Sequence, residues 1–274
     1  MSLKVVVGER LDGAGGAVAL MDIARSSVWR IYVLLGGEVG GHGSAFAYKQ
    51  VIDDSSGTSR VFMLTNLHNL SRPISGIYGA MVNRAKHKAP PEALVGSSEV
   101  VVGDHRCPVM SIVAAKGAMF SHNRPWFQDF AIVEVSVPIV DELRMFAMPV
   151  SDDVRDGEAV YALGYPGSTD LGITDGIVSR VYRGDASDER HLWQIQHSVL
   201  INPGNSGGPT VNQFGVAVGI STWGVPGKPG LNFSVDVSHV LSLVANREEV
   251  EVVDVNSMFG RLAARAMEEA RYGR

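Results

Sequence analysis

The chain is built largely from short apolar runs of the kind that form β-strands, separated by turn-forming residues. Two sets of six runs lie before and after residue 150, at residues 28–35, 44–51, 61–65, 99–102, 109–113, 130–135, 159–163, 172–182, 192–198, 208–211, 214–222 and 231–235. Gly, Pro, Asp and Ser punctuate these runs, and the 274 residues include 31 glycines and 12 prolines. Short strands at this spacing predict an all-β protein that is built as a barrel or a sandwich.

Charge and composition exclude several classes of function. The formal net charge is −5, so we expect a protein that binds neither nucleic acid nor membrane surfaces. No stretch approaches the roughly 20 apolar residues of a membrane span, and the N-terminus shows no signal-peptide pattern. The single cysteine, Cys107, excludes an intrachain disulfide, and together these features predict a cytoplasmic protein. The histidines show no metal-ligand spacing, so we expect neither a metal nor another cofactor.

The most informative motif for chemistry is the octet Asn-Pro-Gly-Asn-Ser-Gly-Gly-Pro at residues 202–209. Glycines on both sides of Ser206 adopt backbone angles that other residues avoid, which allows a tight loop. Such a loop can direct several backbone N–H groups to one point beside the serine hydroxyl. This arrangement stabilises the oxyanion that forms when a serine attacks a carbonyl group.

Two further residues are candidates to activate this serine. An apolar run ends at His68, and Asp129 begins another run of the same kind. The chain order His68, Asp129, Ser206 is the order that chymotrypsin-type enzymes use, whereas subtilisin-like and α/β-hydrolase enzymes use different orders.

Six segments in series resemble the trypsin-like serine peptidases, and especially their bacterial HtrA/Deg and V8-like branches. The segments are Gly43-Ser44-Ala45-Phe46, Leu64-Thr65-Asn66-Leu67-His68, Asp129-Phe130-Ala131-Ile132-Val133, Ala162-Leu163-Gly164-Tyr165-Pro166-Gly167, Gly176-Ile177-Val178-Ser179 and Ile201-Asn202-Pro203-Gly204-Asn205-Ser206-Gly207-Gly208-Pro209. The resemblance implies an all-β fold of two six-stranded antiparallel β-barrels with a catalytic cleft between them. We therefore expect an N-terminal extension at 1–26, a first barrel at 27–150, a second barrel at 151–245 and a C-terminal helix at 246–274.

The same resemblance implies a role for each candidate. Ser206 is the expected nucleophile, His68 the general base, and Asp129 the residue that orients His68. Gly204 and Ser206 are expected to form the oxyanion hole through their backbone N–H groups, with Asn205 contributing through the same loop. Asp104 is the alternative orienting residue, because the interval between His68 and Asp129 is longer than is usual in the HtrA branch.

The resemblance also places the specificity pocket. Leu200 is expected at its floor, and Thr222, Trp223 and Gly224 along its wall. Trypsin has an aspartate at the floor, and V8-like enzymes have a histidine where this chain has Ser221. Because neither charge is present, we predict a preference for a small or apolar P1 residue, graded by only about 1–3 kcal/mol per methylene.

The C-terminal part of the sequence differs from the HtrA pattern. Apolar residues recur at helical spacing over residues 257–272, which predicts an amphipathic helix. We interpret it as a helix that packs on the second barrel, and the alternative is a helix through which the protein oligomerises or binds a partner. The sequence after residue 240 is too short for the PDZ domain that HtrA proteins usually carry. A short helix is also expected over residues 18–26.

The sequence thus predicts a serine endopeptidase that acts on protein or peptide substrates. Two alternatives use the same fold. One is a latent or inactive peptide-binding protein, and the other is an esterase that uses the same three residues.

Overall fold

We describe a computed structural model that covers residues 3–6, 8, 11, 13, 16–53, 55–73, 80, 99–103, 106–121, 125–139, 147–151, 154–184 and 192–272. Fourteen strands, β1 to β14, lie at Leu3–Val6, Val28–Leu35, Glu38–Asp53, Thr58–Thr65, Glu99–Val102, Cys107–Ala115, Ala131–Pro138, Ala159–Gly164, Gly172–Tyr182, Gln194–His197, Pro209–Asn212, Ala217–Gly224, Asn232–Asp236 and Val250–Asp254. Helices lie at Ala17–Ser27, at 68–73, at Val237–Ala245 and at Val255–Tyr272.

Strands β2 to β7 form the first barrel. Their order is β3-β2-β5-β6-β7-β4, and the antiparallel pairing of β3 with β4 closes the ring. Fully buried side chains of these strands include Phe46, Met63, Leu64 and Ile112. Strand β3 is long enough to pair with three neighbours, since β1 adds to its far end while β2 and β4 flank it.

Strands β8 to β13 form the second barrel, closed in the order β10-β13-β12-β11-β8-β9. A cluster of buried aliphatic residues fills its interior: Val154, Val160, Ala162, Val178, Ile195, Val199 and Val218. The prediction of two six-stranded antiparallel barrels is confirmed, and the sequence-based alternative of a sandwich is excluded by the closed pairings.

The N-terminal helix, Ala17–Ser27, leads directly into β2 and contacts both barrels. Leu20 and Ala24 are buried on its inner face. Gly215, in the turn between β11 and β12, lies so close to the helix that an added Cβ would be 2.9 Å from Ile23 Cδ1. The N-terminal helix is therefore packed against the second barrel as well as the first.

The C-terminal segment packs on the first barrel, so its assignment to the second barrel was wrong. Strand β14 pairs with β6, and the helix Val255–Tyr272 contacts β5 and β6. Met258, Phe259 and Leu262 are buried on this helix. The sequence predicted the amphipathic helix. The barrel on which the helix packs is determined by β14, because this strand precedes the helix and pairs with β6.

No helix among the described residues is both long and apolar enough to cross a membrane.

Candidate active site

His68 and Asp129 meet at one end of the first barrel. Strands β4 and β7 are antiparallel neighbours in which Thr65 pairs with Ala131, so the residues just after β4 and just before β7 lie side by side. His68 Nδ1 lies 2.6 Å from Asp129 Oδ2, and the backbone N–H of His68 donates to Asp129 Oδ1 at 2.9 Å. Both carboxylate oxygens of Asp129 are thus engaged by the one residue.

The aspartate of this pair is almost completely shielded from solvent. The Asp129 side chain is 1% exposed and the His68 side chain 14% exposed. A buried carboxylate that accepts from Nδ1–H favours the tautomer in which Nε2 is free to accept a proton. The geometry therefore leaves Nε2 of His68 as the ring atom available for proton transfer.

Asn66 connects this pair to the second barrel. Its amide nitrogen donates to the carbonyl oxygen of Asp129 at 2.8 Å and to Thr222 Oγ1 at 3.0 Å. Asn66 is fully buried. Since Thr222 belongs to β12, the position of Asp129 is tied to the strand that was predicted to line the specificity pocket.

The first barrel also holds the Ser206 loop of the second barrel. The carbonyl oxygen of Ser206 accepts from the backbone N–H of Ser44 at 2.9 Å and from Asn69 Nδ2 at 2.8 Å. Thr65 Oγ1 donates to the carbonyl oxygen of Ser44 at 2.7 Å and so supports the same contact. Two strands of the first barrel and the helix at 68–73 thereby fix the backbone of the expected nucleophile.

The hydroxyl of Ser206 donates to the carbonyl oxygen of Thr222 at 3.4 Å. His68 and Ser206 are both within the described residues, and no hydrogen bond joins them. The structure therefore brings together His68 and Asp129 directly, and brings Ser206 to the same barrel face through its backbone. In structures without substrate, bonds between a catalytic base and its nucleophile are often long and shorten only in the reacting complex.

Two backbone N–H groups in the Ser206 loop are available to a ligand. Within the described chain, the N–H groups of Gly204 and Ser206 make no hydrogen bond, whereas the N–H of Asn205 donates to the carbonyl oxygen of Asn202 at 2.9 Å. Gly204 has φ +102°, which a glycine adopts without strain. The contribution of Asn205 to an oxyanion hole stays a prediction, and its N–H is already used in the turn.

The predicted pocket residues occupy two environments. Leu200 is 52% exposed, and its carbonyl oxygen accepts from Thr174 Oγ1 at 2.8 Å. Thr222, Trp223 and Gly224 end strand β12. Trp223 is stacked between two rings, with the Phe233 centroid at 4.1 Å and the Trp126 centroid at 5.1 Å.

A buried chain of hydroxyl groups links β11, β12 and β13. Thr210 Oγ1 is 3.0 Å from Ser221 Oγ and 2.6 Å from Ser234 Oγ, which is in turn 2.9 Å from His197 Nε2. All four residues are fully buried. Desolvation lowers the pKa of His197 to about 4, so this ring is neutral at neutral pH. His197 therefore adds no charge to this buried network.

Several residues that support the site were not predicted from the sequence. Asn66 and Asn69 flank His68, Ser44 lies in the first matching segment, and Gly167 ends the fourth. Three of these residues stand in segments that were used to recognise a family, but their hydrogen bonds to the site join parts of the chain that are distant in sequence and leave no local pattern. Asp104, the alternative orienting residue, lies outside the described residues, and Asp129 is the aspartate that contacts His68.

Among the residues that the structure describes, no group of three or more His, Cys, Asp or Glu side chains converges as a metal site would require.

Known proteins share both sequence and fold with this chain. Residues 43–220 match the family described as "Trypsin-like peptidase domain". Serine protease HTRA1B of Danio rerio is 33% identical over 124 residues, which cover 44% of this chain and 25% of the relative. Serine protease Do-like HtrA of Bacillus subtilis is 34% identical over 134 residues, covering 45% and 29%. The chain thus spans about a quarter of the length of these curated relatives.

Solved structures share the fold at low sequence identity. The Rv3671c protease from M. tuberculosis, active form, has a TM-score of 0.53 and 17% identity over 90% of this chain and 93% of that one. Deg5 has a TM-score of 0.50 and 22% identity over 82% and 90%. The family match extends over most of the chain and includes both His68 and Ser206, and on that ground this chain belongs to the trypsin-like peptidase domain family.

Proposed function

We propose that this protein is a serine endopeptidase that hydrolyses peptide bonds through an acyl-enzyme intermediate on Ser206. The observation that carries the proposal is the contact of His68 Nδ1 with Asp129 Oδ2 at 2.6 Å, beside a serine whose backbone is held by the same barrel. The HtrA relatives that match this chain are serine proteases by name, which supports the same class of reaction.

The proposed mechanism assigns a proton route to His68. Its Nε2 removes the proton from the Ser206 hydroxyl as Oγ attacks the scissile carbonyl carbon. The buried carboxylate of Asp129 stabilises the imidazolium that results and holds the ring in place. His68 then gives the proton to the departing amine, and in a second round it activates the water that releases the acyl group.

The negative charge that forms on the carbonyl oxygen needs hydrogen-bond donors. The backbone N–H groups of Gly204 and Ser206 are the candidates, because neither makes a hydrogen bond among the described residues. Donors that are fixed before the reaction stabilise such a charge strongly, and one of them is worth about 10²–10³ in kcat.

We further propose that the enzyme prefers substrates with a small or apolar P1 residue. Leu200, Thr222, Trp223 and Gly224 carry no charge that could pair with Lys, Arg or Glu. Ser221 is buried and bonded to Thr210, and the neutral His197 lies behind it in the same network. A peptide library dominated by cleavage after Lys, Arg or Glu would reject this specificity.

One observation favours a second candidate, a latent site. The Ser206 hydroxyl donates to the Thr222 carbonyl oxygen at 3.4 Å and not to His68. A protein that kept this arrangement in the presence of substrate would bind peptides without cleaving them.

Fluorophosphonate labelling tests these functions, because the reagent reacts with activated serines. We expect the wild-type chain to be labelled and to digest casein, and Ser206→Ala to lose both properties. Labelling with ester hydrolysis but no casein digestion would support an esterase. An unlabelled wild-type chain would support the latent binding protein.

A further inference from the structure

We infer that Ser44 and Gly167 are positioning residues that hold the Pro203–Gly204 peptide in the orientation that an oxyanion hole requires. This inference rests on the proposed function and concerns how its site is kept ready. Neither residue needs to touch the substrate in this role. Both lie outside the Ser206 loop, one on β3 and the other in the segment that follows β8.

The Pro203–Gly204 peptide is the central peptide of a reverse turn. The N–H of Asn205 donates to the carbonyl oxygen of Asn202 at 2.9 Å, Pro203 is the second residue, and Gly204 is the third with φ +102°. These are the features of a type II turn. A type I turn has the same ends but the opposite orientation of its central peptide, and a glycine at the third position permits both. The turn alone therefore does not determine which way this peptide faces.

Gly167 constrains the orientation of the Pro203–Gly204 peptide. Its backbone N–H donates to the carbonyl oxygen of Pro203 at 2.7 Å. Because the peptide group is planar and trans, its C=O and N–H point in opposite directions. The bond from Gly167 thus directs the N–H of Gly204 away from the second barrel's β8–β9 loop, and this N–H has no partner within the described residues.

Ser44 holds the next peptide. Its hydroxyl donates to the carbonyl oxygen of Gly204 at 2.7 Å and accepts from the backbone N–H of Tyr165 at 3.1 Å. Ser44 is fully buried, so water does not compete for these bonds. The carbonyl oxygens of the two peptides on either side of Gly204 thus each accept one bond, and both bonds lead to the segment 165–167.

The contact between this segment and the turn is close. A Cβ added to Gly204 would lie 2.2 Å from the carbonyl oxygen of Tyr165. Flipping the Pro203–Gly204 peptide would break the bond to Gly167 and turn the Pro203 carbonyl oxygen toward the position of the developing oxyanion. A carbonyl oxygen there would repel that charge instead of stabilising it.

Gly167 is a suitable position for a test, because its backbone is in the left-handed region and there is space for a Cβ atom. It has φ +58°, and an added Cβ would meet nothing within 4 Å. Gly57, in the β3–β4 turn, has φ +63° and equally open space. Replacing either glycine with alanine strains a similar backbone conformation, and relief of that strain moves the backbone. At Gly167 this movement draws the N–H away from the carbonyl oxygen of Pro203, whereas the described contacts of Gly57 do not include this turn.

The experiment measures the rate of fluorophosphonate labelling and the kcat and KM of casein digestion, below the unfolding temperature of every variant. We expect Gly167→Ala to lower the labelling rate and kcat about ten- to a hundredfold, with KM little changed, because only the oxyanion donor is disturbed. Gly57→Ala should lose the same stability with less than a twofold change in either rate. Gly167→Asn should recover part of the loss, since Asn tolerates this backbone region.

Ser44→Ala provides a second variant, with Ser59→Ala as the control on another buried serine of the first barrel. We expect a similar fall in kcat for Ser44→Ala alone. Equal rates for Gly167→Ala and the wild type, or equal losses for Gly167→Ala and Gly57→Ala, would overturn the positioning role while leaving the peptidase intact. A wild-type chain that is not labelled would reject the proposed function, and the positioning role with it.

Discussion

Trp126 of the first barrel stacks on Trp223 of the second, with ring centroids 5.1 Å apart and planes inclined by 19°. Trp223 stacks in turn on Phe233, at 4.1 Å and 7°. Trp126 begins the short helical turn Trp126–Gln128, and the N–H of Asp129 donates to its carbonyl oxygen at 3.0 Å. The aromatic stack therefore joins the backbone that carries Asp129 to the strand that was predicted to line the pocket.

We predict that Trp126→Ala weakens the site as well as the fold. Loss of the stacked ring should lower the free energy of unfolding by about 1–3 kcal/mol. An aromatic pair contributes about 0.5–1.5 kcal/mol of stability in addition to the stability that comes from burying its surface. It should also lower the casein cleavage rate several-fold, since the backbone segment that carries Asp129 is no longer held by the aromatic stack. Chemical denaturation and casein digestion measure the two effects. Trp126→Phe keeps a stacked ring and should retain most of both; an Ala variant with full activity would contradict the link to Asp129.

Asp129→Asn tests the orientation of His68. An amide in place of the carboxylate can donate to Nδ1 and so favour the tautomer that has its proton on Nε2, which cannot act as a base. We expect kcat at neutral pH to fall about 10³–10⁴-fold while the protein stays folded. Asp104→Asn is the matched control and should change kcat little. The opposite pattern, with the larger loss in Asp104→Asn, would reassign the orienting role.

The fold could be predicted from the sequence where the strand signal is local. Strands β2, β5 and β9 have the predicted bounds at Val28–Leu35, Glu99–Val102 and Gly172–Tyr182. The barrels themselves came from the family resemblance, because apolar runs alone fit a sandwich equally well. Strand β14 was not predicted, because the short stretch Val-Glu-Val-Val-Asp at residues 250–254 lies within the segment assigned to the C-terminal helix and only its pairing with β6 shows that it is a strand.

Residues of the site could be predicted only where they belong to a recognisable sequence motif. His68, Asp129 and Ser206 stand in segments of recognisable sequence, and the structure places the first two in contact. Ser44 and Gly167 act through hydrogen bonds to Gly204 and Pro203, residues that are far away in sequence. The Ser44 contact depends on how the two barrels meet, and the Gly167 contact on how two loops of the second barrel meet; no local spacing encodes either.

His197 should make the protein less stable in mild acid. Burial lowers its pKa to about 4 in the folded protein, against an ordinary value of 6.5. The unfolded chain therefore binds a proton that the folded chain does not between these values, so the free energy of unfolding falls as the pH drops below 6.5. From pH 7.5 to pH 5, His197 should account for a loss of about 2 kcal/mol.

Urea denaturation of the wild type and His197→Gln at the two pH values measures this contribution. The variant should be less stable at pH 7.5, because the bond to Ser234 is disturbed, but it should lose less on acidification. Burial also lowers the pKa of His239 to about 4, so part of the pH dependence should remain. Equal acid losses in the two proteins would show that His197 is not the group responsible.

The C-terminal helix should stabilise the first barrel within a single chain. Phe259 is fully buried on this helix, which contacts β5 and β6. Phe259→Ala should lower the free energy of unfolding by about 3–5 kcal/mol, as expected for removing a buried aromatic ring. Val252→Ala, at a position 71% exposed on β14, should change it by less than about 0.5 kcal/mol. Denaturation and size-exclusion chromatography of both variants measure stability and association together. A Phe259→Ala protein that changed its oligomeric state without losing stability would favour a helix used for association.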